Sequence, residues 1–240
     1  MVLLSGVDRV ARFAYGSVMP RTARASVGGL CYHVINRGNA RSAVFHDSSD
    51  YLAFIRLIGE SSKRLPMNVL AACLMPNHIH LVLRPCGDRD LSRWMQWLLT
   101  AHVRRYHRRY GSSGHVWQGR FKAFPIQQDA HLLQVIRYVE RNALRANLVV
   151  HAEDWCWGSL AWRHSGQSPS FLMPPPVPLP DDWLVRVNAP ESEPELITMR
   201  QSVNRCAPFG DTVWVEETAA KLGLESSLRP QGRPPRIKKK

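Results

Sequence analysis

Apolar and polar positions along this 240-residue chain alternate with a period of two in several short stretches, separated by stretches of helical period. From Gly29 onward, Leu30-Cys31-Tyr32-His33-Val34-Ile35 reads as a strand, closed by the turn chemistry of Asn36-Arg37-Gly38-Asn39. Asp50 to Ile58 reads as a helix with Ser48 or Ser49 near its N-cap. Met67 to Leu74 is a second strand, Met75-Pro76-Asn77 a turn, and His78 to Leu83 a third strand. A long helix follows from Leu91 to Tyr110, apolar on one side and stopped by Gly111. Arg120 to Gln127 is a fourth strand, and Asp129 caps a helix running through Tyr138 and Asn142 to about Ala146.

The order β-α-β-β-α-β plus a further helix predicts an α+β fold of ferredoxin-like type. Its four-stranded antiparallel sheet has helices on one face and an extra C-terminal helix, leaving the other face free to bind or react. Beyond Val150 the texture changes. Trp155, Trp157 and Trp162 pack a helix end against the core, and the proline-dense Pro169 to Pro180 reads as a semi-rigid linker. The expected division is a loose basic arm over 1–25, a core domain over 26–164, a Pro-rich linker over 165–185, a small helical region over 186–228, and a basic tail over 229–240. Within the helical region Thr218 to Leu224 is a short helix. The tail, too polar and proline-rich to bury a core, is disordered when free. Met19 offers an alternative start to Met1.

Charge narrows the class of partner. A hydrophobic fraction of 45% is ordinary for a folded protein, whereas a net charge of +13 and a pI near 10.1 are not. Arg outnumbers Lys, which suits bidentate phosphate contact, so nucleic acid is the leading partner. No stretch approaches the ~20 consecutive apolar residues of a spanning helix, so a membrane partner is not expected. Five cysteines without a CxxC pair read as reduced packing residues, consistent with a cytoplasmic, nucleoid-associated protein. In Arg104-Arg105-Tyr106-His107-Arg108-Arg109-Tyr110 the aromatics interleave with Arg104, Arg105, Arg108 and Arg109, which favours contact with single-stranded nucleic acid.

The sharpest chemistry lies in Met75-Pro76-Asn77-His78-Ile79-His80. On a strand His78 and His80 project to one face while Ile79 points to the other, giving half of a divalent-metal site. Tyr138 and Asn142, four residues apart on a helix, share a face. An Asn142 amide oxygen completes coordination of a hard ion, Mg²⁺ or Mn²⁺, and the Tyr138 phenol then points at a phosphate held there. Tyr106 and Tyr110 are rival nucleophiles. Arg37, Asn39, Arg120 and Lys122 flank the reactive sheet as DNA contacts, whereas His33, His102, His107, His115 and His131 read as structural or phosphate-contacting.

In order along the chain, Met75-Pro76-Asn77-His78-Ile79-His80, Trp117-Gln118-Gly119-Arg120-Phe121-Lys122 and Tyr138-Val139-Glu140-Arg141-Asn142 resemble the REP-associated tyrosine transposases of the single-tyrosine HUH superfamily. Tyr32 to Asn39 resembles the family's first strand and Arg229 to Pro234 its C-terminal tail. The resemblance implies that residues 26–164 form a nickase domain, with His78, His80 and Asn142 as metal ligands and Tyr138 as nucleophile. It implies cleavage of single-stranded DNA through a 5′-phosphotyrosine and a free 3′-hydroxyl, at hairpins formed by palindromic repeats, by a monomer or homodimer. The family usually has Pro after the Asn, where this chain has Ala143, a residue that lets the helix continue. A non-catalytic nucleic-acid-binding regulator on the same fold is the alternative; it leaves both histidines, Tyr138 and Asn142 as coincidence.

Overall fold

The computed structural model describes residues 26–229, so the expected N-terminal arm, the choice of start and the tail beyond Arg229 lie outside the described residues. Four strands, β1 (Cys31–Arg37), β2 (Met67–Met75), β3 (His78–Pro85) and β4 (Lys122–Ile126), form one sheet in the order β2-β3-β1-β4, antiparallel throughout. Between them run α1 (Ser48–Arg64) and α2 (Asp90–Tyr110), and after β4 come α3 (Ala130–Glu140) and α4 (Asn142–Arg145). This is the expected ferredoxin-like α+β topology. The N-cap of α1 differs from expectation: Asp47, not Ser48 or Ser49, accepts from the backbone N–H of Ser49 at 2.9 Å and of Asp50 at 3.2 Å. A carboxylate at that place also complements the positive end of the helix.

Alternation across the sheet sorts two cores. Tyr32, Val34, Ile79, Leu81 and Leu83 face α1 and α2, where they meet Phe54, Ile58, Leu91, Trp94 and Leu98. Cys31, Val82, Phe124 and Ile126 face the opposite way, against Leu132, Val135, Ile136 and Val139 of α3. The second face is therefore not free over most of its area. The apolar stripe of α3 covers it, because Cys31, Val82, Phe124 and Ile126 would otherwise stand in water. The polar residues His33, His78 and His80 mark the part of that face where a site survives.

The C-terminal third contributes to both cores: Trp183, Val187, Met199 and Phe209 pack in the second, Trp162 and Phe171 in the first. α5 (Ser159–His164), α6 (Trp183–Asn188), α7 (Glu193–Arg205), α8 (Thr212–Leu222) and α9 (Glu225–Leu228) follow in order. Helix content here exceeds the short Thr218 to Leu224 helix expected: Asp211 accepts from the Trp214 N–H at 2.9 Å and starts α8 a turn and a half earlier. The proline-dense stretch does not swing free. Leu172 bridges Val69 on the β2 edge, the Met173 N–H donates to Val69 at 2.8 Å, and Phe171 is buried against Trp162. Proline without an N–H suits an edge, and covering β2 removes an unpaired strand edge. The tryptophans pack as expected: Trp157 stacks on Tyr51 at 4.7 Å and the Trp155 indole donates to the Leu74 carbonyl at 3.0 Å.

Glu140, at the end of α3, is the node that joins these layers. Its buried carboxylate accepts from Ser159 at 2.6 Å, from the Trp183 indole at 2.8 Å and from Arg163, whose guanidinium also reaches the Leu70 carbonyl. Glu140→Ala leaves Arg163 uncompensated in a largely buried place. Its expected cost is about 3–5 kcal/mol by chemical denaturation; a loss under about 1 kcal/mol would show that the node is not holding α5 and α6.

His102 sits on the other face among Phe45, Phe54 and Trp117. Burial is the main cause that pushes its imidazole down to about 4. Unfolded, it takes up a proton near the ordinary value of about 6.5. Between those two values the unfolded chain binds more protons, so stability is full above the upper value and falls as pH drops towards about 4. Urea unfolding should show a lower midpoint at pH 5 than at pH 7, with the difference reduced in His102→Gln.

Candidate active site

β1 ends and β3 and β4 begin at one end of the sheet, and there, on the face that carries His33, a cavity of about 510 Å³ opens between β1, β3 and the α3–α4 segment. His78, His80, Tyr138 and Asn142 all line it, together with Arg37, Arg120 and Lys122. The period-two rule that put both histidines on one face holds: their ring centroids are 5.0 Å apart and Ile79 is buried in the opposite core. Across the cavity the Tyr138 ring lies 6.0 Å from His80, edge to face.

Tyr138 and Asn142 meet the cavity from one helical segment. α3 gives way to α4 at Arg141, yet helical bonding continues, Arg145 N–H to the Arg141 carbonyl at 2.9 Å and Ala146 N–H to the Asn142 carbonyl at 3.0 Å. Ala143, where the resemblance implies Pro, keeps its N–H and is fully buried in the second core. The residue therefore serves packing and lets Asn142 stay on the Tyr138 face. Asn142 is 7% exposed and its side-chain amide bonds to none of the described residues, so its oxygen is available to the cavity.

Both histidines of the cavity are held neutral. Burial, with Arg37 and Arg145, pushes His78 down to about 4; burial, then the neighbouring His78 and His33, holds His80 well below the usual imidazole range. At neutral pH both rings carry a lone pair. Asn77 Oδ1 lies 2.6 Å from His78 Nδ1, and the Asn77 amide N–H₂ donates to the Arg41 carbonyl at 3.0 Å. That second bond orients the amide, so Nδ1 of His78 donates and Nε2 keeps the lone pair. Neutral imidazoles and an amide oxygen in one cavity are a donor set that fits a divalent ion.

Several cavity residues escape sequence reading. Arg145 lies with its guanidinium 4.0 Å over the Tyr138 ring and pairs with Glu191 at 2.7 Å. Its spacing of seven from Tyr138, two helical turns, was the available signal. Gln118 and Gly119 reach the cavity because the loop before β4 is pinned to β1, with Gly38 bridging Trp117 and the Gln118 N–H donating to the Arg37 carbonyl at 2.8 Å. A Cβ at Gly38 would overlap the carbonyl oxygen of Ser42, so glycine is required at that close approach. Val203 and Asn204 of α7 also line the cavity, a contribution no local pattern announces.

Other expected contacts lie elsewhere. Asn39 is in an exposed 3₁₀ turn whose N–H donates to the Val116 carbonyl, outside the cavity. Arg104, Arg105, Arg108 and Arg109 belong to α2, on the opposite face of the sheet. Arg109 pairs with Asp47 and with Asp50 at 3.0 Å, and Arg105 bonds the Ser49 carbonyl at 3.2 Å. Arg104 and Arg108 border a separate groove beside Trp97. The rival tyrosines are spoken for: the Tyr106 hydroxyl meets His46 at 2.9 Å and Tyr110 donates to Asp50 at 2.6 Å. Partial desolvation and Asp50 push the Tyr110 phenol up to about 12. Among the described residues no helix is long and apolar enough to cross a membrane.

A Haemophilus influenzae protein described as a REP-associated tyrosine transposase is 26% identical over 123 residues, which cover 46% of this chain and 69% of that relative. The structure of a REP-associated tyrosine transposase bound to a REP hairpin shares the fold, at a TM-score of 0.50 and 19% identity, covering 64% of this chain and 88% of the other. Residues 26–142 match the family described as IS200-like transposases, and the match runs from the segment before β1 to Asn142. Through those residues this chain is similar to the IS200-like transposases, and over much of the same stretch to a REP-associated tyrosine transposase.

Proposed function

We propose that the chain cuts and rejoins single-stranded DNA at hairpin-forming palindromic repeats, with Tyr138 as nucleophile. The observation that carries this reading is the convergence of Tyr138, His78, His80 and Asn142 on one cavity rimmed by basic side chains. The Tyr138 hydroxyl oxygen attacks a phosphodiester phosphorus; the Oη–P bond forms as the P–O3′ bond breaks. The phenolic proton passes to solvent and the 3′-oxygen leaves as a hydroxyl, so the protein holds a 5′-phosphotyrosine. Reversal by a 3′-hydroxyl rejoins strands with the same atoms.

His78, His80 and Asn142 would hold Mg²⁺ or Mn²⁺, which polarises the phosphodiester and offsets charge developing on its oxygens. The chain's own cations divide the remaining work. Arg145, stacked on the Tyr138 ring, restricts its rotation. Arg37, Arg120 and Lys122 form no ion pair among the described residues and are placed to bind the phosphates on either side of the cut. The C-terminal end of α2 lies at the same end of the sheet as His78: Tyr106 reaches His46, and the adjoining Val44 and Phe45 N–H groups donate to the Pro76 carbonyl between β2 and β3. A hairpin stem leaving the cavity can therefore continue over that end towards Arg104 and Arg108.

The test is a labelled hairpin oligonucleotide incubated with Mg²⁺ or Mn²⁺ and run on a denaturing gel. A covalent protein–DNA band is expected. Cutting without such a band would indicate water as nucleophile, and binding without cutting would favour the regulator reading. Hairpin binding should also weaken with salt. Neutralising Arg37, Arg120 and Lys122 together should reduce the log–log salt slope by about 2, and an unchanged slope would remove them from the phosphate footprint.

A further inference from the structure

We infer that His33, a residue with no access to the cavity, is a positioning residue that lets His80 act as a ligand. The inference rests on the proposed reading of His78 and His80 as ligands of a divalent ion. His33 is 0% exposed, on the central strand β1, with its ring stacked on that of His80 at 5.1 Å and 21°. Phe124 holds it edge-on at 5.0 Å, and Tyr138 lies 6.0 Å away on another side. Its burial rules out the direct phosphate contact that a histidine in a basic chain suggests.

The decisive contact is His33 Nε2 to His80 Nδ1 at 2.9 Å. Two ring nitrogens at that distance share one proton, so one donates and the other accepts. The contact uses up Nδ1 of His80 and leaves Nε2 as the nitrogen for the cavity. To offer a lone pair there, His80 must carry its proton on Nδ1, and His33 Nε2 must accept it. The reverse arrangement puts the His80 proton on Nε2 and closes that atom to a cation. His33 Nδ1 has no hydrogen-bond partner, so no neighbour dictates where the His33 proton sits. The pair can therefore switch to the arrangement that a cation at His80 demands.

His33 is not itself a third ligand. Its Nε2 is taken by His80, and no group of three His, Cys, Asp or Glu side chains among the described residues has the geometry to hold a metal ion. Asn77 plays the corresponding part for His78, with an oxygen that can only accept. The two ligands would thus be backed from different elements, one by the turn before β3 and one by β1.

Manganese affinity, read as free Mn²⁺ by electron paramagnetic resonance without DNA, tests this apart from catalysis. Wild type and His78→Ala are compared first. If wild type does not bind, or the two bind alike, the ligand reading itself falls and His33 with it. Given a wild-type site, His33→Phe and His33→Leu cannot accept at the Nε2 position and should bind about 10–100-fold more weakly. His33→Gln places an amide oxygen near that position and should return to within about threefold of wild type. Hairpin binding reports that each variant is folded. Wild-type affinity in His33→Phe or His33→Leu, or a His33→Gln as weak as they are, would overturn the assignment.

Discussion

Tyr138→Phe should abolish the covalent hairpin adduct, lowering its rate of formation by at least about a thousandfold, while hairpin binding stays within a few-fold of wild type. The substitution removes one oxygen. The ring, 9% exposed and held between the second core and the Arg145 guanidinium, keeps its packing because Phe fills the same volume. Loss of the adduct with retained binding and an unchanged unfolding midpoint therefore isolates the nucleophile. Tyr106→Phe and Tyr110→Phe should leave the adduct in place, since their hydroxyls face His46 and Asp50 on the other side of the sheet. An adduct that persists in Tyr138→Phe would move the nucleophile to another residue.

His78→Ala should reduce metal-dependent cleavage by at least about a hundredfold with hairpin binding retained. His78 is the better of the two histidines for this purpose. It is partly exposed at the cavity and its loss leaves only the Asn77 oxygen, near solvent, without its donor. His80→Ala should abolish cleavage as well, but it also strands His33 Nε2 in a fully buried place, with an added cost of about 1–3 kcal/mol in stability. The pair should thus differ in unfolding midpoint and agree in activity. Full cleavage by His78→Ala, or no dependence on Mg²⁺ or Mn²⁺ in wild type, would remove the metal from the mechanism.

Where local pattern could be read, it was read from spacing. Two histidines separated by Ile79 had to share a face once His78 to Leu83 formed a strand, and Tyr138 and Asn142 had to share one once their segment was helical. Gly111, in the left-handed conformation after α2, ends that helix where a glycine is expected to. The α1 cap at Asp47 was missed because three adjacent residues, Asp47, Ser48 and Ser49, are all good caps. Only the geometry of the first turn distinguishes them. The covered second face was missed for a different reason. Alternating strands announce that two faces differ, but not which later helix lies on the second one.

The chain's own periodicities were enough for the β-α-β-β-α-β order of elements and for placing the imidazoles, phenol and amide on their faces, because such patterns depend only on residues near in sequence. Tertiary structure alone settled the rest. It brought Glu191 to Arg145, and Val203 and Asn204 into the cavity wall. It turned Tyr106 and Tyr110 towards α1, held Arg105 and Arg109 in ion pairs with the α1 N-terminus, and set His33 behind His80. Each of these is a meeting of side chains from elements far apart in sequence. What brings them together is the packing of the apolar faces of those elements, and no spacing within a single element encodes that.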